Sequence, residues 1–361
     1  RTAPSLAEPF RFTAFGDQGV SATAATMTGL VSDLDPAFHF HVGDLCYAHT
    51  VIGLGIAGPT DQAVWDLWFA QISTVAASRP WMTAVGNHEM EPGYGELGYG
   101  GYLSRFTLPE AGPSGAPTVY AFRYGNVALI ALDANDASYE IPKNRCYLGS
   151  TQDEWLRSTL ASLRADPAID FIVVGFHHCA YCTNFLHGSD GGVRDRWGTL
   201  FDEFNVDLVI NGHNHCYERT HPVRDGAQTR DVAHGGALEP VSDGTTYVTA
   251  GGGGSTIYPL SLSPASYVSV VGGLRIPELA DWSATRALEL SVLAADVVPP
   301  AAPGGETTMT LTGRRADGSV IEQITLRRNQ GERYLPSGPG SGGATILAPL
   351  GSCDLPGSEL P

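Results

Sequence analysis

The chain has 361 residues, 43% of them hydrophobic, and a formal net charge of −17. That allows one large domain or two ordinary ones with a real apolar core. So acidic a balance disfavours nucleic acid and anionic lipid as partners, since both need clustered Lys and Arg, and no apolar run reaches the roughly 18 residues that span a membrane.

Residues 1–9 read as a short lead-in that begins Arg1-Thr2-Ala3-Pro4 without Met, as a processed or trimmed product would. FRFTAF then forms a strand that runs into Gly16-Asp17, and Ala22 to Leu34 is helix-like. FHFHV, from Phe38, is a second strand; it runs into Gly43-Asp44, with Tyr47 three residues on. A helix over Asp61 to Ala77 leads to the strand WMTAV and to Gly86-Asn87-His88. The Gly/Tyr-rich loop from Glu91 to Tyr102 either walls a pocket through Tyr94, Tyr99 and Tyr102 or packs as a surface loop. After the strand GNVALIALD comes a helix from Thr151 to Arg164, with Ser150 as its cap and Pro167 as its breaker. FIVVGF ends at His177-His178, a helix over Val193 to Phe204 follows, and VDLVI ends at Asn211-Gly212-His213-Asn214-His215. TTYVTAGGGG is a further strand. Past Pro299, TTMTLTG and VIEQITLRR form a hairpin about RRADGS, and a Gly/Pro-rich tail occupies 331–361.

Alternating strands and helices predict an α/β fold with largely parallel sheet order. In such sheets ligands gather at the carboxyl ends of strands. Five strand ends that offer Asp17, Asp44, Asn87, His177, and His213 with His215 therefore describe one site. Mixed Asp, Asn and His ligation suits first-row transition metals rather than calcium. Asp44, with two oxygens, can bridge a pair of ions, the arrangement that clamps the attacking and leaving oxygens of an in-line displacement at phosphorus. Any one of these motifs alone would be read as structural. Their joint order is specific: GDxG, GDxxY, GNHE, a strand-terminal His, then GHxH. His39, His41, His49, His221 and His234 read as core or surface histidines.

These motifs resemble those of the calcineurin-like metallophosphoesterases and, within them, the purple acid phosphatases. The likeness runs from about Phe10 to about Arg328. It includes YLSRFTLP after GNHE, TQDEWL opening a helix, HCYERT closing the last motif, and DWSATR near Trp282. The resemblance implies a four-layer α/β/β/α sandwich with two packed mixed sheets, in a catalytic domain at 10–330. It implies Fe³⁺ at site one, held by Asp17, Asp44, Tyr47 and His215. Zn²⁺, Mn²⁺ or Fe²⁺ at site two is held by Asp44, Asn87, His177 and His213. Relatives outside the purple group carry a first-motif His where this chain has Gly19, and Tyr47 supplies the missing ligand. The family pattern His-x-Pro-x-Tyr selects His177 over His178, with Cys179 in place of the Pro.

By the same resemblance His88 and His187 are catalytic and, with Asn87, bind substrate. His88 reaches the phosphoryl oxygens or the leaving group. His187 falls where the family places a substrate-facing His, with Leu186 where many members carry another; which of the two protonates the leaving group stays open. The implied activity is that of an acid phosphatase. It hydrolyses small phosphate monoesters to inorganic phosphate by attack of a metal-bound hydroxide at the Fe(III)–M(II) pair. Two ions bring about +5 and Asp17, Asp44, Tyr47 and a bridging hydroxide about −4, leaving a slightly positive site for an anionic substrate. A binding protein on the same fold and a phosphodiesterase are the alternatives. Completeness of the seven ligands favours an enzyme, and Tyr47 favours the monoesterase.

Six cysteines, Cys46, Cys146, Cys179, Cys182, Cys216 and Cys353, fit disulfides in a secreted or extracytoplasmic protein. Cys179-x-x-Cys182 has no second CxxC to complete a zinc site. Cys46 beside Tyr47 and Cys216 beside His215 are expected to pair, since their neighbours share a metal, and Cys146 is expected to pair with Cys179 or Cys182.

Overall fold

Phe10–Phe15 lies between Phe38–Val42, to which it is parallel, and Ser291–Val298, to which it is antiparallel. The computed structural model describes residue 4 and residues 7–52, 56–262, 265–302 and 304–329. Trp81–Ala84 extends the parallel side of this sheet; Glu306–Arg315, Val320–Asn329 and Ala237–Leu238 extend the other, giving seven strands. A second sheet of seven has Val127–Ala131, Phe171–Phe176, Leu208–Asn211 and Thr246–Ala250 parallel at its centre. Tyr120–Tyr124 pairs antiparallel at one edge, and Tyr217–Thr220 followed by Ser283–Ala287 at the other. The expected parallel order therefore holds for one side of the first sheet and the centre of the second, and not throughout. Tyr120–Tyr124 and Val127–Ala131 are joined by a two-residue turn, which can only reverse direction, whereas a parallel pair needs a long crossover.

The alternation in Phe38–Val42 divides its side chains between two faces. Phe38, Phe40 and Val42 meet Leu129, Val173, Leu208, Ile210 and Val248 of the second sheet in one buried cluster. His39 and His41 turn the other way. The His39 ring lies 4.2 Å from Phe15 and 4.4 Å from Trp81, with Nδ1 2.9 Å from Thr13 Oγ1. Burial, then His177, lowers the His41 pKa to about 3, so this imidazole is a neutral core side chain.

Helices close the outer faces. Ala22–Leu34 starts at Ser21, whose Oγ accepts from Ala24 N at 3.0 Å. It lays Met27, Leu30 and Val31 on Phe15 and Val292. Thr151–Ala165 and Gly191–Glu203 set Leu156, Leu160, Trp197 and Phe201 on Ile130, Ile172 and Val174 of the second sheet. Ser150 precedes Thr151 but makes no capping hydrogen bond. The layers run helix, sheet, sheet, helix, the four-layer α/β/β/α arrangement expected from the family resemblance. Among the described residues no helix is long and apolar enough to cross a membrane. The tail expected at 331–361 and Cys353 lie outside the described residues.

Candidate metal centre

The carboxyl ends of the parallel strands in both sheets face one another, and each sheet delivers part of one cluster. Asp17, Asp44 and Asn87 follow Phe10–Phe15, Phe38–Val42 and Trp81–Ala84; His177, His213 and His215 follow Phe171–Phe176 and Leu208–Asn211. The loops carrying them are tightly folded. Asp17, Asp44, Tyr47 and His213 have φ of 61°, 53°, 56° and 65°, a conformation that costs a non-glycine residue about 1–2 kcal/mol each. Strain held at one spot by four different residues is the mark of a site whose side-chain directions matter. Glycine is required behind them: a Cβ on Gly43 would lie 2.6 Å from His177 Nδ1, and one on Gly86 would lie 2.2 Å from Asp44 Oδ1.

Within the cluster the seven singled-out side chains come together. His177 Nε2 is 3.2 Å from Asp44 Oδ2 and 3.1 Å from Asn87 Oδ1. His213 Nδ1 is 3.0 Å from the same Asn87 oxygen. On the other flank, His215 Nε2 is 3.3 Å from Asp17 Oδ1 and 3.1 Å from the Tyr47 hydroxyl, which donates to Asp17 Oδ1 at 3.4 Å. The far nitrogen of each imidazole is pinned outside the cluster: His177 Nδ1 on Val42 O at 2.9 Å, His215 Nδ1 on Thr256 O at 2.7 Å, and His213 Nε2 on Glu140 Oε2 at 3.1 Å. With the outer nitrogens donating to these oxygens, the inward nitrogens of His177, His213 and His215, grouped with the oxygens of Asp44, Asn87 and Asp17, are the ones a cation would take, as in metal-ligating histidines.

This donor set fits cations. Oδ2 of Asp17 is buried without a hydrogen-bond partner, and Asp17, Asp44 and His177 offer ligand atoms within 4.8 Å of one another. Burial alone would lower the His177 pKa, yet Asp44 and Asp17 raise it to about 10, which shows how strongly this point favours positive charge. Burial, then Asp17 and Asp44, push the Tyr47 phenol far above its ordinary value.

His88 flanks the cluster. Its backbone N donates to Asp44 Oδ1 at 2.9 Å and Nδ1 is fixed by His49 O at 3.0 Å, leaving Nε2 3.9 Å from Asp44 Oδ2. The His187 ring lies 4.2 Å from that of His213, with Nδ1 2.9 Å from Glu140 Oε1. His178 is buried against His213 with neither ring nitrogen hydrogen-bonded. Tyr99 and Tyr102 are buried, their hydroxyls on Asp133 and on Thr83 O, so these two are packed and do not wall a pocket. A cavity of about 790 Å³ opens instead beside Tyr47 and His215, lined in part by Gly19, Ser21, Leu67, Ser255 and Tyr258.

The cysteine expectation is corrected. Cys46, Cys179, Cys182 and Cys216 are all buried free thiols, so Cys46 does not bond Cys216 and Cys146 bonds neither Cys179 nor Cys182. Cys46-Tyr47 and His215-Cys216 both lie in tight loops between strands, and Tyr47 is left-handed. Tyr47 and His215 meet in the site, and their neighbours are sent into separate cores. Cys46 joins Trp65 and Trp68, whereas Cys216 lies 3.9 Å from Cys182.

Three further residues act here that the sequence reading did not assign. The Tyr258 ring stacks on His215 at 3.9 Å and 12°. The Glu140 carboxylate holds two histidines. Glu89, inside GNHE, accepts from Asp44 N, Leu45 N and Gly86 N at 2.8, 2.9 and 2.7 Å, tying two ligand loops together. Its place beside Asn87-His88 was the available signal. Glu89→Ala leaves three buried donors without an acceptor, at about 1–3 kcal/mol each. We expect its denaturation midpoint to fall by an amount equal to at least about 3 kcal/mol; an unchanged midpoint would refute this role.

Residues 10–217 match the family model described as calcineurin-like phosphoesterase. An uncharacterized protein of Mycobacterium tuberculosis, Rv2577, is 35% identical over 385 residues, covering 92% of this chain and 70% of that protein. Purple acid phosphatase 23 of Arabidopsis thaliana is 28% identical over 267 residues, covering 69% of this chain and 53% of that protein. The fold superposes on purple acid phosphatase PPD1 from yellow lupin seeds with a TM-score of 0.69 at 23% identity, over 91% of this chain and 55% of that one. This chain belongs to the calcineurin-like phosphoesterase family. Within that family the plant proteins it is similar to are purple acid phosphatases, and it spans only about half their length.

Proposed function

We propose that the chain is an acid phosphatase that hydrolyses small phosphate monoesters at a pair of metal ions. Fe³⁺ is held by Asp17, Asp44, Tyr47 and His215; Zn²⁺, Mn²⁺ or Fe²⁺ is held by Asp44, Asn87, His177 and His213. The observation that supports this most is the convergence of these side chains from two sheets, with the Tyr47 hydroxyl between Asp17 and His215 and with Asp44 beside His177. Such ions supply Lewis acidity that polarises phosphoryl oxygens and acidifies bound water.

The chain's own groups do the rest. Glu89 and the paired glycines fix the direction of Asp44 and Asn87. His88, pinned through Nδ1, presents Nε2 to a phosphoryl oxygen. His187, pinned through Nδ1 to Glu140, presents Nε2 to the substrate from the opposite flank, and either imidazole can hold or deliver a proton there. An extracytoplasmic location belongs to the same proposal; it is supported by the acid chemistry and by Cys146, which is disulfide-bonded, and not by the free thiols of Cys46, Cys179, Cys182 and Cys216. p-Nitrophenyl phosphate and bis(p-nitrophenyl) phosphate at acidic pH test the reading. The monoester should turn over faster by more than about tenfold; a diester turned over equally fast would overturn it.

A further inference from the structure

Glu140 lies in the segment after Val127–Ala131, with no metal-site motif around it. Its two carboxylate oxygens are divided between two histidines on two other loops. Oε1 accepts from His187 Nδ1 at 2.9 Å and Oε2 from His213 Nε2 at 3.1 Å. Arg275 adds a third donor, Nη2 at 3.2 Å from Oε1, and also bonds Leu186 O, one residue before His187. The Glu140 backbone is itself fixed, its N donating at 3.1 Å to Asp190 Oδ2, while Asp190 caps the helix Gly191–Glu203. The carboxylate is therefore a rigid fork with both tines occupied, and its side chain is only 12% exposed.

A carboxylate oxygen that is ionised can only accept, so each tine decides where its histidine keeps its proton. The tine on His213 holds the proton on Nε2 against the weaker acceptor Asn87 Oδ1, 3.0 Å from Nδ1, and so leaves the Nδ1 lone pair available to a cation together with that oxygen. The tine on His187 puts the proton on Nδ1 and turns Nε2 outward. We infer that Glu140 is a positioning residue that sets two tautomers at once, coupling retention of the second ion through His213 to the alignment of the substrate-facing His187. This role rests on the dinuclear reading proposed above. A glutamine of the same size has one oxygen and one amide NH₂, so it can satisfy only one of the two histidines and opposes the other. An aspartate keeps the charge but is too short to reach both.

The test compares wild type with Glu140→Gln and Glu140→Asp, each checked for an unchanged melting temperature. In metal-free protein labelled with ¹⁵N-histidine, wild type should show His213 protonated on Nε2 and His187 on Nδ1, and both variants should show mixed tautomers for at least one of them. Mn²⁺ titrated into iron-loaded protein should bind about 10–100-fold more weakly in both variants. The iron should be retained, and kcat should fall about tenfold or more with KM little changed. Wild type with His213 protonated on Nδ1, or variants with wild-type tautomers and Mn²⁺ affinity, would overturn the inference. A wild type that takes up no second ion while its tautomers still follow Glu140 would sink the dinuclear reading and the metal half of this role, and leave the tautomer assignment standing.

Discussion

Tyr47→Phe is expected to bleach the iron-loaded protein. A phenolate bound to Fe³⁺ transfers charge to the metal and absorbs visible light, and no other side chain in the cluster is so easily oxidised a donor. Burial and the neighbouring Asp17 and Asp44 hold the free phenol neutral well above its usual range, so only a cation can draw the proton off at working pH. The substitution removes one oxygen and leaves the ring, which packs 4.4 Å from His88. The variant should fold, hold its first ion less tightly and keep partial activity, since Asp17, Asp44 and His215 remain. Visible spectra of wild type and variant, each verified for iron content, decide the matter. A colourless oxidised wild type, or a band that survives the substitution, would show that Tyr47 is not a ligand.

Asp44→Asn should do more damage than any other single change. Oδ1 accepts from His88 N while Oδ2 faces His177, so both oxygens are engaged as acceptors. An asparagine keeps one acceptor and must turn an NH₂ either to the His88 amide or into the ion site. Both sites should lose affinity together, with activity falling more than about 100-fold, since even groups that merely orient a ligand cost about 10–100-fold. Asn87→Ala, by contrast, should empty mainly the second site. Elemental analysis after dialysis separates the two patterns. Two ions retained by Asp44→Asn, or one site lost and the other untouched, would refute a bridging role.

The strand ends were legible because each couples a short apolar run to a polar stop. Phe10–Phe15, Phe38–Val42 and Ala22–Leu34 have the bounds the sequence suggested. Between them, those signals placed Asp17, Asp44, Asn87, His177, His213 and His215 at one edge before any contact was known. Glu140 was invisible for the opposite reason: it sits in a loop without periodicity, and its partners are 47 and 73 residues away. Tyr258 gave no signal either, since its stacking on His215 depends on how the loop after Thr246–Ala250 folds back. The expected Cys46–Cys216 pair failed because adjacency to a ligand places only the neighbour in the site, while the loop turns Cys46 toward Trp65 and Trp68 and Cys216 toward Cys182. Ser291–Val298, interrupted by Asp296, was not read as a strand at all, although it is the antiparallel partner of the first one. Asp296 is accommodated by Arg11, whose Nε lies 2.7 Å from its carboxylate across the pair.

That late strand sets a limit on how far the chain can be shortened. The segment shared with the family model stops at residue 217, yet four of the seven strands in the sheet that delivers Asp17 and Asp44 lie beyond it: Ala237–Leu238, Ser291–Val298, Glu306–Arg315 and Val320–Asn329. Cutting there would leave Phe10–Phe15 as a bare, hydrophobic edge, the kind of surface that recruits other chains. The other sheet would lose Thr246–Ala250 from beside Leu208–Asn211. All the candidate ligands would survive such an excision, and the scaffold that aims them would not. Any shortened version of this protein has to keep the strands from Phe10 through Asn329, with the recognisable motifs first and their structural support after them.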